Sequence, residues 1–330
     1  MNLQRATRPR QLGLLTGVDP GVRAREKRRF PYAVGDRIAG DLTVIGHLAV
    51  GRLGHLYQVW SASEWCAYTC KILAPEHRDD ARAVTALRRE GRILRGLQHP
   101  NILRIYSEGE HDGLPFLLME YAEGPTIFDL LEERTDRRLD VTDALRTAIH
   151  IGAGLYHTHR SGFLHLDLKP ANLLLRGSVP LLVDFDAARR AQPRRRPRKL
   201  LGTAPYMAPE QVRQEAPTTA ADVYGLGAVL YEMVTGRWPF EDVYLDPSGR
   251  SGSERDYPQL GASPPPPASR FQPDLPRDVD DLIARCLHAD PTRRPQSLHP
   301  VLLAVSAALE EPVAFWPAGV ETERRRTPRH

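Results

Sequence analysis

Residues His165-Leu166-Asp167-Leu168-Lys169-Pro170-Ala171-Asn172, with Asp184-Phe185-Asp186 beginning twelve residues after Asn172, set an acid, a lysine and an amide on one short loop and a second carboxylate just beyond it. A fold that accepts this chain has to gather those groups in one place. Phosphoryl transfer needs that inventory: a carboxylate to orient a hydroxyl, a cation for the moving phosphate, and oxygen ligands for magnesium.

The order of local patterns along the chain supplies a frame for the loop. From Pro31 to about Phe116 the pattern is strand-like, with Leu42–Leu48, Leu56–Trp60 and Ala67–Leu73 short, β-branched or aromatic-rich and separated by Gly or polar turns. One helix from about Asp79 to Leu97 interrupts them, and beyond Tyr121 helices dominate. Thr142 is the expected N-cap of a helix ending before Gly162, and Asp222 the start of an apolar helix stopped by Gly236. The expected class is α+β with two lobes: a β-rich part at 33–121 and a larger, mainly helical part at 122–312. Within the latter, 241–276 carries Pro264-Pro265-Pro266-Pro267 and reads as a flexible, extended surface loop. Residues 1–32 read as a basic disordered tail and 313–330 as a polar one.

The 79–97 helix carries a charge argument of its own. Ala83, Leu87, Leu94 and Leu97 share one face, and Arg82, Arg88, Arg89, Arg92 and Arg95 cover the other. Glu90 falls inside the apolar stripe. An unpaired carboxylate there costs several kcal/mol or is relieved by protonation. Either Glu90 snorkels to an edge or it has a basic partner.

Composition excludes some classes. No apolar run approaches 18 residues and the amino terminus has no apolar signal core, so neither a membrane span nor a secretory leader is expected. Cys66, Cys70 and Cys286 form no CxxC pair, which favours reduced thiols and a cytoplasmic location. The net charge of +4 is uneven: residues 1–32 hold eight Lys/Arg against Asp19 and Glu26, and Arg189–Lys199 holds seven with no acid. Aromatics are not interleaved through these runs, so they read as solvated segments and nucleic acid is not an expected partner.

The catalytic-type loop resembles that of the eukaryotic-type (Hanks-type) protein kinases, and Lys169 in that setting points to the serine/threonine branch, with a composition reminiscent of bacterial members. Further motifs appear in the family's order between about residues 36 and 305. Ala49-Val50-Gly51-Arg52-Leu53-Gly54-His55-Leu56 resembles the glycine-rich loop with its first glycine replaced by Ala49. Lys71 ends a strand as the family's phosphate-pairing lysine does, which gives Glu90 its implied partner. Leu117–Ala122 resembles the strand into the interlobe hinge, with Met119 gating the back pocket and Glu120 and Ala122 offering backbone to adenine. Thr69 stands where alanine usually covers that ring, Leu174 belongs to the same nucleotide pocket, and Asp129 lies near the ribose position. Gly202–Glu210 resembles the substrate-docking segment, and Asp290–Pro295 the late arginine motif, predicting a buried Arg294–Glu210 pair.

The resemblance implies ATP and Mg²⁺, or Mn²⁺ in its place, as cofactors and proteins bearing Ser or Thr as substrates. Regulatory cytosolic partners would act through the basic tail or the 241–276 insertion. It assigns Asp167 to the attacking hydroxyl, Lys169 and Lys71 to the phosphates, and Asn172 and Asp184 to the metal, with His165 and Phe185 as packing residues. Three departures stand out. Leu166 replaces the arginine that often precedes the loop Asp, and no Ser, Thr or Tyr lies between Asp184 and Thr203. Together these imply activity without activation-segment phosphorylation. Asp186 replaces the usual glycine, which could lock the loop or alter metal preference, and with Ala49 it motivates the rival reading of a catalytically impaired scaffold that binds nucleotide or partners.

Overall fold

The computed structural model describes residues 30–192, 196–197, 200–244, 257–261 and 263–309. The amino-terminal part is a five-stranded antiparallel sheet in the order β1-β2-β3-β5-β4, formed by β1 (Leu42–Val50), β2 (Gly54–Ser61), β3 (Cys66–Leu73), β4 (Ile105–His111) and β5 (Leu114–Glu120). Helix α1 (Ala81–Arg95) packs on this sheet. Asp80 caps it by accepting from the Arg82 amide at 2.8 Å. Ala83, Leu87, Glu90, Leu94 and Leu97 are all buried, so the stripe read from the sequence faces the sheet with its carboxylate in place.

Phe30 and Tyr32 do not belong to a disordered tail. Phe30 is buried, stacked on His47 with ring centroids 4.4 Å apart, and Tyr32 meets Tyr57 edge-on at 5.8 Å. These rings cover the outer strands, which moves the start of the fold ahead of residue 33. Residues 1–29 and 310–330 lie outside the described residues, and with them the polar tail and most of the basic one.

The second part is built on α3 (Val141–Arg160) and α5 (Thr219–Thr235), preceded by α2 (Ile127–Glu132) and accompanied by α4 (Pro209–Val212), α6 (Glu241–Tyr244), α7 (Arg277–Cys286) and α8 (Leu298–Ala308). Asp140, not Thr142, caps α3: its carboxylate accepts from the Thr142 amide at 2.9 Å. Helix α5 begins at Thr219 under a Thr218 cap, placing Asp222 inside its first turn instead of at its start. It ends as expected at Gly236, whose φ of 73° is left-handed; a Cβ there would sit 2.3 Å from the Asp136 carbonyl. From Ala220 to Thr235 every residue of α5 is buried, so it forms the centre of the helical part.

The insertion is only partly the extended loop expected at 241–276. Residues 257–261 and 263–276 turn back onto the helices, burying Gln259, Ala268 and Leu275. The Gln259 amide donates to the Ala204 and Met207 carbonyls at 2.9 and 3.1 Å, which gives this segment a fixed seat. Residues 245–256 lie outside the described residues. Two short pairings, β6 (Phe163–Leu164) with β9 (Arg189–Arg190) and β7 (Leu173–Arg176) with β8 (Val179–Leu182), bracket the loop segments between the two parts. Thr126 bridges to Leu174 and Ile102 to Leu182, joining that region to the hinge and to the turn after α1.

Candidate active site

Lys71 sits in the middle sheet strand β3, opposite Leu56 on one side and Leu117 on the other. Its ammonium reaches both Glu90 oxygens at 2.8 Å and Asp184 Oδ1 at 3.0 Å. Three elements distant in sequence therefore close on one buried cation. Burial alone would strip the charge from Lys71, but Glu90 and Asp184 outweigh it and hold the ammonium above its ordinary range. The same ammonium, more than burial opposes, keeps Asp184 below the usual carboxylate range. Glu90 is pushed up by burial against the pull of Lys71. The carboxylate inside the apolar stripe thus has its basic partner.

A second cluster lies on the 165–172 loop. Asp167 Oδ1 accepts from the Thr203 hydroxyl at 2.7 Å, and Lys169 donates to that hydroxyl at 3.1 Å while lying 3.3 Å from Asp167 Oδ2. Asn172 Nδ2 donates to the Asp167 carbonyl at 2.8 Å and to Oδ2 at 3.3 Å. With its nitrogen so engaged, Asn172 has its side-chain oxygen left to offer. Together with the second oxygen of Asp184 it makes a pair of hard donors of the kind Mg²⁺ or Mn²⁺ takes alongside phosphate oxygens.

Asp222 holds this loop from below. Its carboxylate accepts from the His165 and Leu166 amides at 2.8 and 2.7 Å and is 2.8 Å from His159 Nε2. Leu166 is left-handed at φ 66°, as is Asp184 at 62°. Those amide bonds offset the backbone strain at Leu166, of order 1–3 kcal/mol. The Leu166 side chain is buried in the apolar core, where an arginine would lack a counter-charge. His165 and Phe185 are fully buried and meet edge-on at 4.7 Å.

The nucleotide-type residues gather along the cleft. Thr69 pairs with Met119 in the β3–β5 register, and both are buried behind the hinge. The Glu120 amide donates to the Arg104 carbonyl and its side chain accepts from Arg176 at 2.7 Å, so its carbonyl is what Glu120 can offer a ring. Ala122 is buried at the hinge, and Leu174 on β7 bridges to Thr126. Asp129 is placed otherwise than the ribose position alone implies: its carboxylate closes a capping box with Thr126 at the start of α2.

In the β1–β2 hairpin, Ala49 faces Leu56 and the Gly51 amide donates to the Gly54 carbonyl at 2.8 Å. Gly54 is required by β3 as well as by any ligand, since a Cβ on it would lie 2.2 Å from the Ile72 carbonyl. Behind residues 202–210, Arg294 forms a bidentate pair with Glu210 at 2.7 and 2.9 Å. The roles of Thr203, Asp222 and Arg52 were not read from the sequence.

A family model described as the protein kinase domain matches residues 42–306. The serine/threonine-protein kinase PrkC of Bacillus subtilis is 30% identical over 265 residues, covering 79% of this chain and 39% of that protein. The serine/threonine-protein kinase PkaA of Streptomyces coelicolor is 37% identical over 233 residues, covering 69% and 40%. The chain thus spans about two fifths of the length of these relatives. The crystal structure of the Mycobacterium tuberculosis PknI kinase domain superposes with a TM-score of 0.63 at 26% identity, covering 84% of this chain and 99% of that one.

Proposed function

The chain belongs to the Hanks-type serine/threonine protein kinase family, and from that premise we propose that it transfers the γ-phosphoryl group of ATP to serine or threonine hydroxyls of proteins. The observation that carries this reading is the closed contact of Lys71 with Glu90 and Asp184, which joins sheet, helix and metal-binding segment around one cleft.

In this mechanism the Asp167 carboxylate accepts a hydrogen bond from the incoming hydroxyl and takes its proton late. Lys169 lies beside the transferring group, and Lys71 holds the α- and β-phosphates. Asn172 and Asp184 would hold the divalent ion. When bound, Mg²⁺ or Mn²⁺ neutralises charge that spreads over the phosphates. Thr203 links Asp167 and Lys169 through one hydroxyl, so both side chains are oriented before a substrate arrives.

Independence from activation-segment phosphorylation is part of the proposal. Gln211 Nε2 bonds the Leu166 and Leu201 carbonyls at 2.9 and 3.0 Å, anchoring the end of the segment to the loop with neutral amides. With Leu166 in place of an arginine, no cation there needs a phosphate to balance it. A cytoplasmic site of action is supported by three free cysteines; among the described residues no helix is long and apolar enough to cross a membrane.

The experiment is Mg²⁺-dependent transfer from labelled ATP to the protein itself or to a generic basic protein. Wild type is expected to exceed Asp167→Asn by at least about 10²-fold. Equal transfer by the two would support the impaired scaffold instead.

A further inference from the structure

The residue after Asp184-Phe185 is gathered by three arginines from separate parts of the fold. Asp186 Oδ2 accepts from Arg52 Nη2 at 2.5 Å, and the Asp186 carbonyl accepts from Arg89 at 3.0 Å and from Arg189 at 2.9 Å. Arg52 lies at the tip of the β1–β2 hairpin between Gly51 and Gly54, Arg89 on α1 beside Glu90, and Arg189 at the start of β9. The left-handed residue of this segment is Asp184, not Asp186, so position 186 has no conformational need for glycine and can carry a side chain.

Charge balance shows why that side chain is acidic. Arg52, Arg89 and Arg189 lie close enough to repel one another, and burial lowers the basicity of Arg89 and Arg189, the latter to about 10. Arg89 Nε is buried with no hydrogen-bond partner among the described residues. Among the groups facing this cluster, the Asp186 carboxylate and Glu90 supply the opposing charge, and Glu90 is committed to Lys71. A glycine at 186 would leave the hairpin arginine repelled from the other two.

We infer that Asp186 is a positioning residue: through Arg52 it draws the tip of the 49–56 hairpin over the cleft and ties it to α1 and β9, holding the nucleotide hairpin closed without a phosphorylated activation segment. The inference rests on the ATP-site reading above for its consequence, though not for the contact itself. The Arg52 side chain is 57% exposed and that of Asp186 19%, so the pair is a modest one. It biases the open and closed hairpin by about three- to fivefold, and does not make or break the fold.

Hydrogen–deuterium exchange on the full chain without nucleotide tests it, comparing wild type, Asp186→Asn, Arg52→Gln and the double variant. Backbone amides of residues 50–55 are expected to exchange about three- to fivefold faster in each single variant, and no faster in the double. The Kd of Mg·ADP, measured by calorimetry, is expected to weaken by the same factor while the melting temperature stays put. Wild-type exchange rates in the single variants, or effects that multiply in the double, overturn the latch. Faster exchange with unchanged Mg·ADP affinity overturns its role over the cleft. Failure of the ATP-site reading shows up separately, as no Mg·ADP binding by wild type, and leaves the exchange comparison able to decide the contact.

Discussion

Thr203 donates its hydroxyl hydrogen to Asp167 Oδ1 across 2.7 Å, a bond between residues 36 apart in sequence. The Thr203 hydroxyl oxygen in turn accepts from Lys169 at 3.1 Å. The first hydroxyl after Asp184 is therefore hydrogen-bonded to both Asp167 and Lys169. Thr203→Ser is expected to keep near wild-type turnover, and Thr203→Ala to lose about 10- to 100-fold because Asp167 and Lys169 lose their shared orienting group. Thr203→Glu is expected to abolish transfer by setting a second carboxylate against Asp167. Initial rates with a generic protein substrate check the order, and an active Thr203→Glu would refute it.

How much of this was legible depends on the range of each contact. The α1 stripe was readable because a period of 3.6 fixes a face, and the odd residue on it, Glu90, announced a partner. The Arg294–Glu210 pair was readable only through the family's motif order. Thr203, Asp222 and Arg52 were not, since their contacts with the catalytic segments cross 36, 56 and 134 residues and leave no local pattern. Asp140 and Thr142 are both good caps two positions apart, and the geometry of the first turn, not residue type, chose Asp140. Gly54 looked like a phosphate-binding glycine; the nearness of the Ile72 carbonyl gives it a second reason to lack a side chain.

Lys71→Met removes the cation shared by Glu90 and Asp184. Transfer is expected to fall by more than about 10²-fold, and the protein to lose about 3–5 kcal/mol because a buried carboxylate is left without its counter-charge. Lys71→Met/Glu90→Leu replaces that pair with apolar groups in a site where both side chains are nearly inaccessible. The double variant should recover most of the stability and none of the activity. Thermal melts beside a transfer assay separate the two, and a double variant as unstable as Lys71→Met would contradict the argument.

Arg294 is inaccessible at its side chain, grips Glu210 through two parallel bonds, donates to the Ala220, His288 and Ala289 carbonyls, and lies 4.9 Å from the centre of the Tyr224 ring. Lysine cannot reproduce a planar fork with five donors. Arg294→Lys is therefore expected to destabilise by about 2–4 kcal/mol, a fall in melting temperature of roughly 5–10 °C. A shift under about 2 °C in calorimetry would show that one ammonium suffices.

Asp222 links stability to pH through the catalytic loop. Burial alone would raise its carboxyl, but the His159 hydrogen bond and charge, with His165 and the Leu166 amide, outweigh burial and hold it below the usual carboxylate range. Its folded value thus lies under the unfolded one of about 3.9. Its contribution is fully present above that value and is lost as pH falls through the folded one. Asp222→Asn meets the His165 and Leu166 amides with a single acceptor oxygen and a donor, so at pH 7 it is expected to cost about 2–4 kcal/mol and to slow turnover by loosening the loop that carries Asp167. Melting temperatures measured from pH 3 to 8 should show a constant gap between wild type and Asp222→Asn above about pH 5, narrowing below about pH 4 as acid begins to protonate the wild-type unfolded chain. A gap that widens in acid would mean that the carboxylate is not held ionised by the loop amides and His159.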